Sequence, residues 1–186
     1  MSKGISGLFR GTLGTTHINS FQKDTSYSER GLDVPEHIRK MLSKLQKPGD
    51  RIIGTMNDFS VHDVSVMSKE TGVEFARITI GEKTYLYRGD KYGVHLSYYF
   101  RHKIAVNNGS LDFHTHPYDN DCVPSGGDCE IVKYLGKRTG KLTSQIVTPN
   151  GRIVTFNEYG VVSTSPVPNI IDDDAKQIYL KLFGGV

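Results

Sequence analysis

Two histidines stand two places apart in Phe113-His114-Thr115-His116-Pro117, and Ser125-Gly126-Gly127-Asp128 follows after seven intervening residues. On an extended segment, side chains at i and i+2 point to the same face, so His114 and His116 can approach one ion together. A carboxylate in the first turn of the next helix, where backbone N–H groups support negative charge, can close over them. Imidazole nitrogen and carboxylate oxygen are donors that Zn2+ favours, and three protein ligands leave a fourth position for water. An open site of that kind brings the pKa of water from about 15.7 toward roughly 7 and polarises a carbonyl. The competing reading is a surface histidine pair near an unrelated helix cap formed by Ser125 and Asp128.

Hydrolysis also needs a group that takes a proton from water and returns it to the leaving atom. Glu74 is the first candidate, because on a regular strand it shares a face with Ala76, Ile78 and Ile80. An unpaired carboxylate on an apolar face is costly, so it needs a reason to be there. That reason is either catalysis or a structural ion pair at a strand end. Glu70 is the rival base, although Lys69-Glu70-Thr71-Gly72 reads as an exposed turn. Ser125 has two available roles, capping the following helix or donating to oxygen charge in a tetrahedral intermediate. Asp112 falls on the histidine face and could orient a ligand, or lie exposed at a strand start. Asp119 and Asp121 read as loop carboxylates. Cys122 and Cys129 flank the site and read as free thiols, with a local bridge or metal contact as alternatives; neither has an orienting triad for nucleophilic catalysis. His17 reads as an exposed or locally bonded side chain.

The elements that would position these groups are legible in part. Residues 1–34 read as an irregular segment with short apolar anchors, and residues 35–186 as the metallohydrolase domain. Pro35 opens a helix with Ile38, Met41, Leu42 and Leu45 on one side, and Pro48-Gly49-Asp50 stops it. Arg39, Lys40, Lys44 and Lys47 make a solvated face on it. Strands are expected at 51–55, 61–67, 73–80, 84–88 and 94–100, with a further one after Arg101. The segment 111–116 delivers the histidines, and a short helix with Ile131, Val132 and Leu135 follows. A meander over 144–148, 151–156 and 160–163 turns at Pro149-Asn150-Gly151. A helix over 172–183 closes the chain, with Asp172, Asp173 and Asp174 at its positive end. The fold class is α+β, a single mixed domain with a central twisted β-sheet flanked by helices.

Composition narrows the classes. The 186 residues suffice for one sizeable core. A formal charge of +3 is too small to argue for nucleic-acid binding. The His-x-Glu and Pro-Cys-x-x-Cys signature of zinc deaminases is not in the sequence. No apolar run is long enough for a membrane-spanning helix. The N-terminus lacks the apolar core of an ordinary cleaved signal, leaving the compartment unassigned between cytoplasm and export by another route.

The stretch from His114 to Asp128 resembles the JAB1/MPN-type (JAMM) zinc metalloprotease motif in its residue types, spacing and proline. The resemblance implies Zn2+ held by His114, His116 and Asp128, an oxyanion assisted by Ser125, and a base that maps best to Glu74. Phe75-Ala76-Arg77 departs from the small residues usual after the family's glutamate. It further implies a JAB1/MPN (cytidine-deaminase-like) fold over about residues 50–165 and cleavage of peptide or isopeptide bonds in a protein or peptide substrate, ubiquitin-like proteins included. Similar modules end bacterial polymorphic toxins, which the Gly-rich start of this chain would suit. Hydrolysis of a non-protein amide, or service as an inactive interaction module, are the alternatives.

Overall fold

The structure is a computed structural model that describes residues 34–165. The expected helix over 172–183 and nearly all of the irregular segment 1–34 lie outside the described residues.

Three helices grow from local signals that the sequence carries. Helix α1, Glu36–Lys44, begins after Pro35 and buries Ile38. The carboxylate of Asp50 accepts from the amides of Gln46 and Lys47, fixing the turn that follows. Helix α2, Val61–Thr71, replaces the strand expected over 61–67. Val64, Met67, Ser68 and Thr71 recur at helical spacing and are buried, so the apolar period is 3.6 rather than 2. Ser60 caps this helix by accepting from the Asp63 amide, and Gly72 ends it in the left-handed region at φ 67°. Glu70 therefore lies in the last turn of a helix, not in a loop. Helix α3, Tyr98–Val106, likewise replaces the extended segments expected from 94 to 106. Ser97 accepts from the Phe100 amide, and Phe100, Ile104 and Ala105 turn one face inward. The stop after α3 is enforced at Gly109, where an added Cβ would lie 2.7 Å from the Thr79 carbonyl oxygen.

Strands β1 (Arg51–Gly54), β2 (Phe75–Ile80), β3 (Lys83–Arg88), β4 (Ser110–Thr115), β5 (Ser144–Val147), β6 (Ile153–Asn157) and β7 (Gly160–Thr164) form a seven-stranded sheet. Its order is β1-β3-β2-β4-β5-β6-β7. All neighbours are antiparallel except β4 and β5, which run parallel. Helix α4, Gly126–Thr139, makes that crossover, as a parallel connection requires. It runs through Gly136 because Leu142 packs there: an added Cβ would lie 2.9 Å from the Leu142 Cδ2. The domain is α+β, with a mixed sheet flanked by helices.

Apolar residues divide between the two faces. Ile38, Val64 and Met67 of α1 and α2 pack with Phe75, Leu86 and Phe113. Phe100 and Ile104 of α3 and Leu135 of α4 pack with Ala76, Ile78, Tyr85 and Tyr87. A third cluster joins Val132 of α4 to Ile146, Val154 and Phe156.

One irregularity decides where the histidines point. Arg77 pairs with Phe113 while Ile78 pairs with Leu111, so Asp112 is an extra residue in β4. Such a bulge resets the alternation of the strand that carries it. Leu111 faces α3 and Phe113 faces α2, while His114 comes to stand opposite Ala76. Asp112 does not share the histidine face as expected. Its carboxylate accepts from Thr79 Oγ1 at 2.6 Å and from Ser110 Oγ, and lies 3.4 Å from Arg77 Nε.

Candidate metal centre

Glu74 immediately precedes β2, and its backbone extends the strand: its amide donates to the Asp90 carbonyl and its carbonyl accepts from the Gly89 amide. With Ala76 opposite His114, the parity of the strand turns Glu74 toward the histidine side. His114 lies near the end of β4, and His116 just beyond it, where its amide donates to the Val147 carbonyl of β5. Between them Thr115 points the other way. Its hydroxyl accepts from the Phe75 amide at 2.9 Å, locking the start of β2 to the end of β4. Replacing Thr115 by Val should therefore leave a buried N–H without its partner and cost about 1–3 kcal/mol. Urea unfolding of the metal-free protein is the measurement, and Thr115→Ser should recover most of the loss.

The three side chains meet. One donor atom from each of Glu74, His114 and His116 lies within 4.8 Å of the others, and all three residues are buried. The two Nε2 atoms are 3.1 Å apart. His116 Nε2 is 3.9 Å from Glu74 Oε1. Asp128 enters from the first turn of α4, with Oδ1 at 3.4 Å from His114 Nε2. Its other oxygen accepts from the amide and the hydroxyl of Ser125, each at 2.7 Å, while the Ser125 hydroxyl accepts from the Asp128 amide. This reciprocal capping box leaves Oδ1 turned to the histidine. The Phe156 ring meets His114 edge-on with centroids 5.7 Å apart.

Electrostatics follow from this crowding. Burial pushes the Glu74 carboxyl up to about 7; His114 pulls the other way, and the charges of Asp128, Asp121 and Asp90 add to the rise. Burial and the neighbouring His114 hold His116 below the usual imidazole value, against an opposing pull from Asp121. For Asp128 burial alone would act upward, but the hydrogen bond and charge of His114, with the Ser125 contacts, hold the carboxyl well below the usual range. The Glu74 carboxyl is thus raised to near-neutral pH, and Asp128 is held as an anion.

Glu74, His114 and His116 come together, Asp128 lies beside His114, and Ser125 is exposed and engaged in the cap. Glu70 has no part in the cluster. Both cysteines are free thiols. Arg152 Nη1 lies 3.6 Å from the Cys122 sulfur, and burial with the charge of Asp128 pushes the Cys129 thiol up, away from nucleophilic use. Spacing does not signal two further contacts. Asp119 Oδ1 accepts from the Asn150 amide, and Asp121 reaches His116 Nδ1 through both its carbonyl and its carboxylate.

Comparison of the chain with protein-family models, with curated proteins and with solved structures finds no match.

Proposed function

We propose that the protein is a zinc-dependent hydrolase of peptide or isopeptide bonds, with His114, His116 and Asp128 as ligands and Glu74 as base. The observation that carries this reading is the spacing of donor atoms. Tetrahedral Zn2+ with bonds of about 2.0–2.1 Å places its ligand atoms roughly 3.3 Å apart. The separations of 3.1 Å between the imidazole nitrogens and 3.4 Å from His114 to Asp128 fit two of the three edges, while Asp128 does not share the 4.8 Å reach of both histidines. Glu74 Oε1 lies 3.9 Å from His116 Nε2, wider than such an edge, and from there its carboxylate can take a proton. The histidine pair argues the same way: two buried Nε2 atoms face each other at 3.1 Å, and a cation satisfies both lone pairs at once.

Bound there, Zn2+ would supply Lewis-acid polarisation of a carbonyl and a lowered pKa for water. The chain supplies the rest. Glu74 accepts the proton of the attacking water and delivers it to the leaving amine, keeping both transfers on one buried carboxylate. Ser125 holds Asp128 in place through the cap. Its hydroxyl proton, given to Asp128 at rest, is a donor that can turn to oxygen charge developing beside the site. The resemblance to JAB1/MPN-type enzymes extends this reading to substrates in which a peptide or isopeptide bond is presented by a folded protein, ubiquitin-like proteins among them, and to toxin or effector modules.

A second arrangement has its own support, because Glu74 shares a common reach of 4.8 Å with both histidines. In it Glu74 is the third ligand and Asp128 only caps α4. Zinc affinity separates the two: Asp128→Asn should weaken binding far more than Glu74→Gln under our assignment, and the reverse order supports the second.

The function is tested with chelator-stripped protein assayed on peptides, isopeptide-linked conjugates and small amides. Turnover should appear at stoichiometric zinc and vanish on renewed chelation. Zinc binding with no cleavage of any of these substrates would reject the hydrolase reading in favour of an interaction module.

A further inference from the structure

Asp121 lies in the loop between β4 and α4, five residues beyond His116. Its carbonyl oxygen is 2.9 Å from His116 Nδ1, and its carboxylate Oδ1 is 3.2 Å from the same atom. That nitrogen is the one facing away from the cluster, since Nε2 is directed at His114 and Glu74. The carbonyl accepting from Nδ1 and the carboxylate charge beside it keep the proton there and leave the Nε2 lone pair free. His114 lacks such support: its Nδ1 is buried without a hydrogen-bond partner among the described residues. The two rings of one site are therefore oriented unequally.

The loop is fixed on both sides of Asp121. Asp119 accepts from the Asn150 amide at 2.7 Å, Arg152 reaches the Cys122 sulfur, and the Asp121 amide donates to the Tyr118 carbonyl. The Asp121 side chain is nonetheless 52% exposed, so its carboxylate is not needed to fill the core. An exposed, well-placed anion directed at the outer nitrogen of a buried imidazole makes that imidazole a stronger donor at its other nitrogen.

We infer that Asp121 is a positioning residue, whose carboxylate holds His116 in the tautomer and orientation that bind the metal. This deepens the zinc reading above and rests on it. The test is the zinc dissociation constant, measured by competition with a chromophoric chelator, for wild type, Asp121→Asn, Asp121→Ala and Asp119→Ala. Asp119→Ala releases the same loop without touching His116. Removal of an outer partner of a metal-binding histidine typically costs 10–100-fold in affinity, so about that loss is expected for both Asp121 variants and no more than about twofold for Asp119→Ala. Equal affinity in wild type and Asp121→Asn would overturn the inference, as would equal losses in Asp121→Asn and Asp119→Ala, which would mark a loop-order effect.

Ring nitrogen chemical shifts of His116 in the metal-free protein give a readout independent of zinc. Wild type should show a protonated, hydrogen-bonded Nδ1 whose shift moves in Asp121→Ala; identical spectra would count against the contact. Failure of wild type to bind zinc at all would instead remove the metal site itself, with the ring spectra still reporting on Asp121.

Discussion

Glu74→Gln should lower hydrolysis by about 10²–10⁴-fold, the range of a general base, while zinc remains bound. The substitution keeps the size and hydrogen-bonding outline of the side chain and removes only its ability to accept a proton. Glu74 is 7% exposed and starts a strand whose register is fixed by Thr115 and by pairing with the Gly89–Asp90 segment, so Gln should sit where Glu sat. The loss expected of a base that acts only while protons move falls on kcat. Steady-state kinetics on a cleaved substrate, with zinc content measured on the same sample, is the check. Full activity in Glu74→Gln rules out this base. Loss of zinc together with activity instead favours Glu74 as a ligand.

Much of this centre is legible in the chain because it depends on short-range spacing. His114 and His116 need only two residues of extended backbone, and the Ser125–Asp128 pair needs only the first turn of a helix. Helix α1 and the β5–β7 meander are legible for the same reason: their apolar periods and turn residues lie within one short window. What escapes the sequence is set by competing local signals or by distant contacts. In α2 and α3, β-branched and aromatic residues favour a strand locally, but Ser60 and Ser97 cap helices whose buried faces match the sheet. Reading Val61, Val64 and Val66 as an imperfect alternation misses Met67 and Thr71 as their helical partners. The extra residue at Asp112 depends on pairing with β2, so no local pattern announces it. Without it, the face shared by Leu111 would carry Phe113, and regular alternation from Leu111 would send the histidines away from Glu74. Asp121 is hidden for a related reason: a loop acidic residue signals nothing until the loop folds back onto His116.

The metal-free protein should lose stability as pH rises through the titration of Glu74, and Glu74→Gln should abolish that loss. The Glu74 carboxyl has an ordinary value of 4.5 and is pushed up to about 7 in the fold. Between those values the folded chain holds a proton that the unfolded chain has released, so stability falls with increasing pH. The contribution is complete below pH 4.5 and gone above about 7; the gap of roughly 2.5 pKa units corresponds to at most about 3 kcal/mol. His116 acts in the opposite sense. Its imidazole is held below the usual value, so the unfolded chain binds the extra proton and stability rises as pH climbs toward 6.5. The wild-type curve carries both contributions, so the informative quantity is the difference between Glu74→Gln and wild type. Measured by urea unfolding in the presence of chelator, that difference should grow from near zero at pH 4.5 toward about 3 kcal/mol at pH 8, with the variant more stable. A flat difference over this range would mean that Glu74 is ionised at no cost, and would remove the argument that its burial serves proton transfer. Zinc should shrink that difference: a cation beside the carboxylate relieves the cost of its charge, and at 100 times its Kd binding adds about 2.7 kcal/mol to each form that holds it. A site that destabilises the empty fold at neutral pH, and is repaired by the ion it is built to hold, is the pattern expected where function rather than packing selects a buried carboxylate.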